Sequence, residues 1–254
     1  MTALALILSA LIGVSLGLLG AGGSILAVPV LVYVARIPAS EAVGMSLAVV
    51  AATSFFAGLL HAGSRNVDGR LAAAFSALGV GGSFLGAKLT RGLRPEFLLA
   101  LFAVVMLVAG GLMLRKGRAA PGAREPHRPA GLAVVPIAVG VGLMTGFLGV
   151  GGGFLVVPAL VLFGRVPVRI AIGTSLFVIA ANAASGFLGH LGEQGLDLSL
   201  TAAFTVAALV GAAFGQRLAG RVSSDTLRAS FGALVVVLGA AILVANVAAL
   251  RGAR

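Results

Sequence analysis

The sequence Gly-Ala-Gly-Gly-Ser-Ile-Leu-Ala-Val-Pro occupies residues 20–29, and a close copy, Gly-Val-Gly-Gly-Gly-Phe-Leu-Val-Val-Pro, occupies residues 149–158. The offset between them is 129 residues (149 − 20 = 129), and without any gap it aligns most of the chain with itself. A match of this extent indicates two tandem copies of one module. Aligned pairs further along include Arg36/Arg165, Pro38/Pro167, Gly44/Gly173, Ser46/Ser175, His61/His190, Asp68/Asp197, Gly82/Gly211, Gly86/Gly215 and Lys88/Arg217.

The composition predicts a membrane protein. Hydrophobic residues make up 59% of the chain, charged residues 10%, and the mean hydropathy is +1.14. All seven acidic residues lie at the edge of an apolar run or in a connection. This placement is typical of helices in lipid, because a charge at the bilayer centre costs about 2.5 kcal/mol or more. We therefore expect an all-α polytopic membrane protein, multi-pass in a bacterial inner membrane, with the lipid bilayer as its surroundings.

The basic residues are placed for topology rather than for a polyanion. The net charge is +11, but the cations crowd one central connection, residues 115–129, or flank apolar runs. Cations so placed usually fix orientation by the positive-inside rule, so we expect no nucleic-acid partner. The chain has no cysteine, which excludes thiolate chemistry. The N-terminal residues belong to the repeat, so we read them as a retained helix and not a cleaved signal.

Each copy contains five apolar elements, so the copies consist of about four to five transmembrane or half-membrane helices each. The first two elements of a copy form a stretch that would be ~50 Å long as one straight helix, against a ~30 Å hydrocarbon core. We expect breaks near the midplane at the glycine-rich tetrads 20–23 and 149–152. The predicted elements are 3–19, 24–35, 42–61, 71–89 and 97–114, then 131–148, 153–163, 170–190, 199–217 and 229–249.

The domain organisation follows from the repeat. Residues 1–114 form the first transmembrane repeat, 115–129 a basic linker, and 130–254 the second repeat. An odd number of crossings per copy would invert the copies, and an even number would leave them parallel. Inversion places more of the 18 Lys and Arg residues on the linker side. The positive-inside rule therefore favours inverted copies with a cytoplasmic linker.

The glycine loops resemble those of the sulfite exporter TauE/SafE family of membrane permeases. The resemblance lies in residues 17–24 leading to Val28-Pro29, and in residues 146–153 leading to Val157-Pro158. The segments 42–46 and 171–175 support it. The resemblance implies transport of sulfite, sulfonates or related small organic anions.

The loops are the strongest candidates for a substrate site. Glycine lets backbone N–H groups approach a ligand, and the positive end of a helix dipole favours an anion. Paired breaks in two repeats are typical of transport sites. The alternative is that the glycines only allow close helix packing. The candidate substrate-binding residues here are Gly22, Gly23, Ser24, Gly151, Gly152 and Gly153.

Polar residues in the third element of each copy extend the candidate site. Ser46, Thr174 and Ser175 could donate hydroxyl hydrogen bonds to an anion, or bond back to a carbonyl of their own helix. Thr53 and Asn182 are aligned deeper in the same element. Asn182 is either a ligand contact or a hydrogen bond between helices.

His61 and His190 end the third elements, where they could gate transport or sense pH. The alternative is an interfacial histidine favoured by the helix dipole. Asp68 and Asp197 precede the fourth elements and are read as N-caps.

A secondary permease or potential-driven exporter for a small anion is the leading hypothesis. The alternatives are an importer of another small solute and a non-transporting membrane scaffold subunit. An enzyme is not expected, because the histidines stand apart from acids, and we expect no cofactor or metal. No ATP-binding P-loop motif is present. An oligomer is compatible with the sequence.

Replacing Gly22 and Gly151 with leucine separates the two main hypotheses. We expect the double variant to lose anion flux in proteoliposomes, because the side chains would fill the two loops. A non-transporting scaffold subunit would need only to fold, so filling the two loops should not impair it. Folded protein with unchanged flux would therefore count against a substrate role for the glycines.

Overall fold

The computed structural model describes residues 2–89, 95–115, 131–148, 153–190 and 197–252, which form helices with short connections and contain no strand. Most of these bounds agree with the predicted apolar elements, but α2 ends at Pro29 rather than 35, where a π-helical segment continues the chain to Val34, and the last helix starts at 224 rather than 229. The helices are α1 (Thr2–Leu19), α2 (Ser24–Pro29), α3 (Ala39–Gly63), α4 (Gly69–Leu89), α5 (Pro95–Arg115), α6 (Gly131–Leu148), α7 (Gly153–Leu162), α8 (Val168–His190), α9 (Leu198–Arg221) and α10 (Ser224–Gly252).

Five helices in the described part of the chain are long and apolar enough to cross a membrane, by length and composition. Helices suit this role because each backbone N–H and C=O is paired within the segment. The candidate spans are Glu41–Gly63, Phe97–Arg115, Val168–Leu188, Leu198–Arg221 and Ser224–Asn246. Leu4–Leu19, Ala21–Val34 and Val135–Met144 form shorter apolar helices.

Glycines bring α1 and α9 into backbone contact. A Cβ built on Gly13 would lie 2.0 Å from the carbonyl oxygen of Ala208, and one on Gly211 would lie 2.0 Å from that of Ala10. The contacts advance in the same direction along both helices, since Gly215 likewise meets the carbonyl oxygen of Val14. The two helices therefore run parallel, and the four-residue spacing of Gly211 and Gly215 lets α9 approach α1 closely.

The pair α4 and α6 repeats these contacts. A Cβ on Gly82 would lie 2.8 Å from the carbonyl oxygen of Val139, and one on Gly142 would lie 2.6 Å from that of Gly79. All four positions differ by 129 from those of the α1–α9 contact. The contact between α6 and α4 therefore occurs at positions offset by 129 residues from the contact between α1 and α9.

The third helices, α3 and α8, pack on each other, and so do the fifth helices, α5 and α10. Both pairs run antiparallel, because later positions on one helix meet earlier positions on its partner. In α3–α8, Gly58 meets Phe177 and Gly186 meets Leu47; in α5–α10, Gly110 meets Gly232 and Gly239 meets Ala103.

The turns after α2 and α7 have the same backbone conformation. Arg36 has φ 58° and its aligned counterpart Arg165 has φ 52°. In each turn, the N–H one residue after the arginine bonds back to a carbonyl six residues earlier, as at many helix C-termini. These bonds are Ile37 N to Leu31 O at 3.1 Å and Val166 N to Leu160 O at 2.9 Å.

The fourth helix of each copy begins at an aspartate, which confirms the predicted N-caps. An Oδ1 of Asp68 accepts from the backbone N–H of Leu71 at 3.1 Å. The corresponding atom of Asp197 accepts from that of Leu200 at 2.9 Å. These carboxylates satisfy first-turn donors that would otherwise lack partners.

Gly82 and its neighbour Gly81 provide a matched test of the helix contacts. Gly82→Ala should lower the free energy of unfolding by about 2 kcal/mol, because its Cβ would meet the backbone of α6. Gly81→Ala should be neutral or slightly stabilising, because nothing lies within 4 Å of a Cβ there. Thermal unfolding of the detergent-purified variants measures both effects. Equal stability of the two variants would contradict the proposed backbone contact.

Candidate functional site

The chain breaks between α1 and α2 at a glycine that no other residue could easily replace. Gly20 has φ 75°, in the left-handed region. A Cβ there would lie 3.1 Å from Ser175 Oγ and 3.2 Å from the carbonyl oxygen of Ile172. A 3-10 turn, Ala21–Gly23, follows, and α2 starts at Ser24. The break therefore lies against the first two turns of α8.

Protein covers the break on several sides. Gly22 and Gly23 are buried, and a Cβ on Gly22 would meet the side chain of Leu234 at 2.6 Å. A Cβ on Gly23 would lie 2.6 Å from the carbonyl oxygen of Ile12. The Ala21–Gly23 turn also contacts α7 and α8. These glycines are therefore closely packed against neighbouring helices, and a substrate role for them stays a prediction.

In the second glycine motif, residues 149–153, the structure describes only the last residue. Gly151 and Gly152 lie outside the described residues. Gly153 starts α7 and is buried, and a Cβ there would lie 2.2 Å from Ile179 Cγ1. The depth of either break in a bilayer, expected near the midplane, stays a prediction.

Pro29 and Pro158 have different local effects. Pro29 ends α2, and a π-helical segment, Val30–Val34, continues the chain. Pro158 lies within α7, which continues to Leu162. Isolated π-helical turns are frequent at functional sites.

The predicted serine ligands bond back to the chain beside them. Ser46 Oγ donates to Val43 O, and Ser175 Oγ donates to Ile172 O, each at 2.8 Å and at aligned positions. Ser24 Oγ donates to Ala21 O at 2.8 Å. Thr174 differs, since its Oγ1 accepts from the backbone N–H of Asp68 at 3.0 Å. To bind an anion, the serine hydroxyls would have to rotate away from these carbonyls.

Thr53 and Ser54 on α3 carry buried hydroxyls with no partner. Both residues are 0% exposed, and neither side-chain oxygen has a hydrogen-bond partner. Val50 and Ala57, one turn away on either side, belong to the same core cluster as Ala21 in the break. Ser54 was missed by the sequence analysis, although it adjoins the predicted Thr53. Asn182, the aligned counterpart of Thr53, is half-buried on α8.

His61 joins the end of α3 to the last turn of α1. The residue is 3% exposed, and its Nε2 lies 2.9 Å from the carbonyl oxygen of Gly17. Its Nδ1 has no partner. The His61 ring is therefore held by the last turn of α1, which ends just before Gly20. His190 ends α8, but its side chain lies outside the described part of the chain.

A small cavity, here called the polar pocket, adjoins His61. Its volume is about 60 Å³. Arg169, at the start of α8, donates through Nη1 to Ala219 O at 2.8 Å, through Nη2 to Val222 O, and through Nε to Ser224 Oγ at 3.3 Å. The polar pocket is lined mainly by His61, Ser64, Asn66, Arg169, Ile172 and Gln216.

Sequence reasoning missed Arg169 and Gln216. Gln216 interrupts an apolar run, which is a signal that could have been used. Its Nε2 donates to Ser64 Oγ at 3.1 Å. In the sequence, Arg169 is only one of the cations that flank apolar runs. Its hydrogen-bond partners lie some fifty residues further along the chain, so the sequence does not show them.

Two larger cavities are apolar. One, of about 570 Å³, lies among α3, α4 and α8, and the edge-to-face pair Phe55 and Phe177 contributes to its lining. The other, of about 630 Å³, lies among α5, α6 and α7. Neither lining includes a charged side chain, so neither suits an anion. Among the described residues, no three His, Asp or Glu side chains are grouped to hold a metal ion.

Comparison with known protein families gives a match over most of the chain. The family model described as "Sulfite exporter TauE/SafE" matches residues 5–242. The chain belongs to this family. Membership identifies the chain as a membrane transporter and not an enzyme. The predictions of a transporter and of no enzymatic activity are therefore confirmed.

Curated relatives of the family carry the same general description. A protein of Xylella fastidiosa strain 9a5c is 35% identical over 233 residues, covering 90% of this chain and 89% of that protein. YdhB of Bacillus subtilis is 27% identical over 214 residues, covering 82% and 86% of the two chains. Both are named probable membrane transporter proteins. No solved structure matches the chain.

Arg169 should be important for stability. We expect Arg169→Met to lower the free energy of unfolding by about 2 kcal/mol, because it leaves the carbonyls of Ala219 and Val222 without their donors. Arg217→Met, at an exposed arginine of α9, is the matched control and should change stability little. Thermal unfolding in detergent tests the difference, and a tolerated Arg169→Met would contradict the anchoring role.

Proposed function

We propose that this chain is a secondary permease that moves a small anion across a bacterial inner membrane. The proposed substrate class is sulfite, an organosulfonate or a related organic anion. The proposed site comprises the break 20–23, the aligned break 149–152, and the polar residues of α3 and α8. The observation that carries the proposal is the pair of unpartnered hydroxyls on Thr53 and Ser54.

Unpartnered hydroxyls inside a membrane helix are costly unless a ligand uses them. Burying a polar group without a hydrogen bond costs about 1–3 kcal/mol. A helix that needed Thr53 only for packing would be more stable with valine, which has the same shape. An oxyanion that reached α3 could accept a hydrogen bond from either hydroxyl. A transport role therefore gives a physical reason for two polar groups that packing does not need.

The charge distribution supports an anion over a cation. No acidic residue lies within the interior of an apolar run, so a cation would find no carboxylate there. Arg169 instead contributes a fixed positive charge beside the Gly20 break. An inside-negative potential supplies about 2.3 kcal/mol per charge per 100 mV. Export of an anion therefore needs no coupled ion, and secondary or potential-driven transport is sufficient.

Inverted copies form part of the proposal. The aligned helices α3 and α8 run antiparallel, and so do α5 and α10. Copies related by an axis along the membrane normal would instead keep aligned helices parallel. This direction supports inversion, with residues 115–129 on the cytoplasmic side. Inversion would then relate the two glycine breaks by an axis in the plane of the membrane.

Thr53→Val separates a transport role from a structural one. We expect flux to fall at least about tenfold, from the loss of one hydrogen bond to a charged ligand. Thermal stability should stay equal or rise, because the variant removes a buried unpartnered hydroxyl. Flux of sulfite, sulfoacetate and sulfate into proteoliposomes under an imposed potential measures the effect.

Thr205→Val is the matched control. The hydroxyl of Thr205 on α9 donates to Thr201 O at 2.7 Å, so its loss should not change flux. Wild-type flux that follows the potential and weakens only in Thr53→Val would support the proposal. Folded wild-type protein that moves none of these anions would overturn the sulfur-anion assignment and favour another solute or a scaffold role.

A further inference from the structure

The polar pocket lies directly beside the Gly20 break. Ile172 lines the pocket, and its carbonyl oxygen is one of the atoms nearest to Gly20. His61, another lining residue, bonds to Gly17 in the last turn of α1. A volume of about 60 Å³ exceeds the ~10–15 Å³ that one water molecule needs. The pocket therefore has room for a few waters or one small oxyanion at the edge of the proposed transport site.

Arg169 gives the pocket a positive charge in a fixed position. Three of its donor groups are bound by Ala219, Val222 and Ser224. A guanidinium has five N–H donors and stays charged, so two donors remain. Because the α9–α10 turn holds the head group, an anion would meet it with little further loss of side-chain entropy.

No other charged side chain lines the described pocket. Helix α1 carries no titratable residue, α9 contributes Gln216, Ala219 and Gly220, and α10 contributes Leu227. The connection after α3 contributes Ser64 and Asn66. The neighbouring charged residues Arg65, Asp68 and Arg228 are not part of the lining.

The hydrogen bond of His61 determines what its free nitrogen can do. A carbonyl oxygen only accepts, so Nε2 must carry the proton that it donates to Gly17 O. In the neutral ring, Nδ1 is then a lone-pair acceptor, and it has no partner. A lone pair repels an oxyanion unless a proton lies between them. Either the ring must take a proton or the anion must bring an acidic hydroxyl.

We propose that the polar pocket binds a small oxyanion together with one proton, held between the anion and Nδ1 of His61. The oxyanion would accept from Arg169 and Gln216, and the proton would come from water or from the anion's own hydroxyl. No other bond forms or breaks. The inference rests on the proposed function only in assigning the anion to the transported class.

The polar pocket, which both copies line, has no chemical equivalent at the aligned positions. Positions aligned with Arg169 and Gln216 are Ser40 and Ala87, and the position aligned with Ser64 is Glu193. The repeat-related location therefore lacks the cation and the amide, and it carries an acid where the polar pocket has a hydroxyl. Proton-linked anion binding is accordingly assigned to one end of the transport path.

Calorimetric titration of sulfite into the purified full-length protein tests the proposal. Repeating the titration in buffers with different ionisation enthalpies counts the protons taken up. Above the pH at which free sulfite loses its proton, we expect about one proton per bound sulfite. His61→Gln keeps an amide donor for Gly17 O and removes Nδ1. This variant should bind sulfite about tenfold or more weakly and lose the proton uptake.

Two further variants keep the test decisive if His61→Gln does not fold. Gln216→Leu should weaken binding about tenfold while keeping the proton uptake, because the amide is lost and the ring is not. Arg217→Gln, at the neighbouring exposed position, should match the wild type. Unchanged affinity in Gln216→Leu, or wild-type proton uptake in His61→Gln, would overturn the assignment of the pocket.

Flux and binding can fail separately. Anion flux by the wild type without proton-linked binding would support the permease proposal and contradict the pocket proposal. The wild type could instead bind sulfite with proton uptake, lose this binding in His61→Gln, and show no flux. That outcome would support the pocket proposal and contradict the permease proposal. Absence of both would overturn both.

Discussion

Hydrocarbon provides no hydrogen bonds, so every backbone group released at a helix break must find a partner in the protein. The break after α1 meets this requirement with short-range and tertiary contacts together. Gly20 N donates to Leu16 O, Ser24 Oγ donates to Ala21 O, and His61 donates to Gly17 O. The position of α3 therefore depends on the end of α1, since a side chain of one completes the hydrogen bonding of the other.

The helix contacts explain why glycine is so abundant, at 38 residues. Without a hydrophobic driving force between helices in lipid, association relies on close packing, and glycine allows backbones to touch. The same contact occurs between α1 and α9 and, at aligned positions, between α4 and α6. Each copy thus completes the packing of the other. A single copy would leave the glycine faces of its first and fourth helices uncovered.

The sequence was sufficient to predict features set by local chemistry or by the repeat. Apolar length predicted the helices, and the N-cap roles of Asp68 and Asp197 followed from their positions before the fourth elements. It was not sufficient for the polar pocket, whose residues extend from His61 to Leu227 and meet only after α3, α8, α9 and α10 assemble. Thr53 was proposed because it aligns with Asn182. Ser54 has an apolar counterpart, Ala183, and no such signal.

The packing glycines are shared by the two copies, but the polar pocket is not. If the copies are inverted, the helical framework presents similar geometry to both faces of the membrane, while Arg169 and Gln216 act on one face. A charge of this kind raises the local anion concentration and the rate of entry from its own side. It cannot set the direction of net transport, because binding at one face changes entry and release together. The direction would follow from the concentration gradient and the membrane potential, and the pocket would determine at what anion concentration, and at what pH, that face becomes saturated.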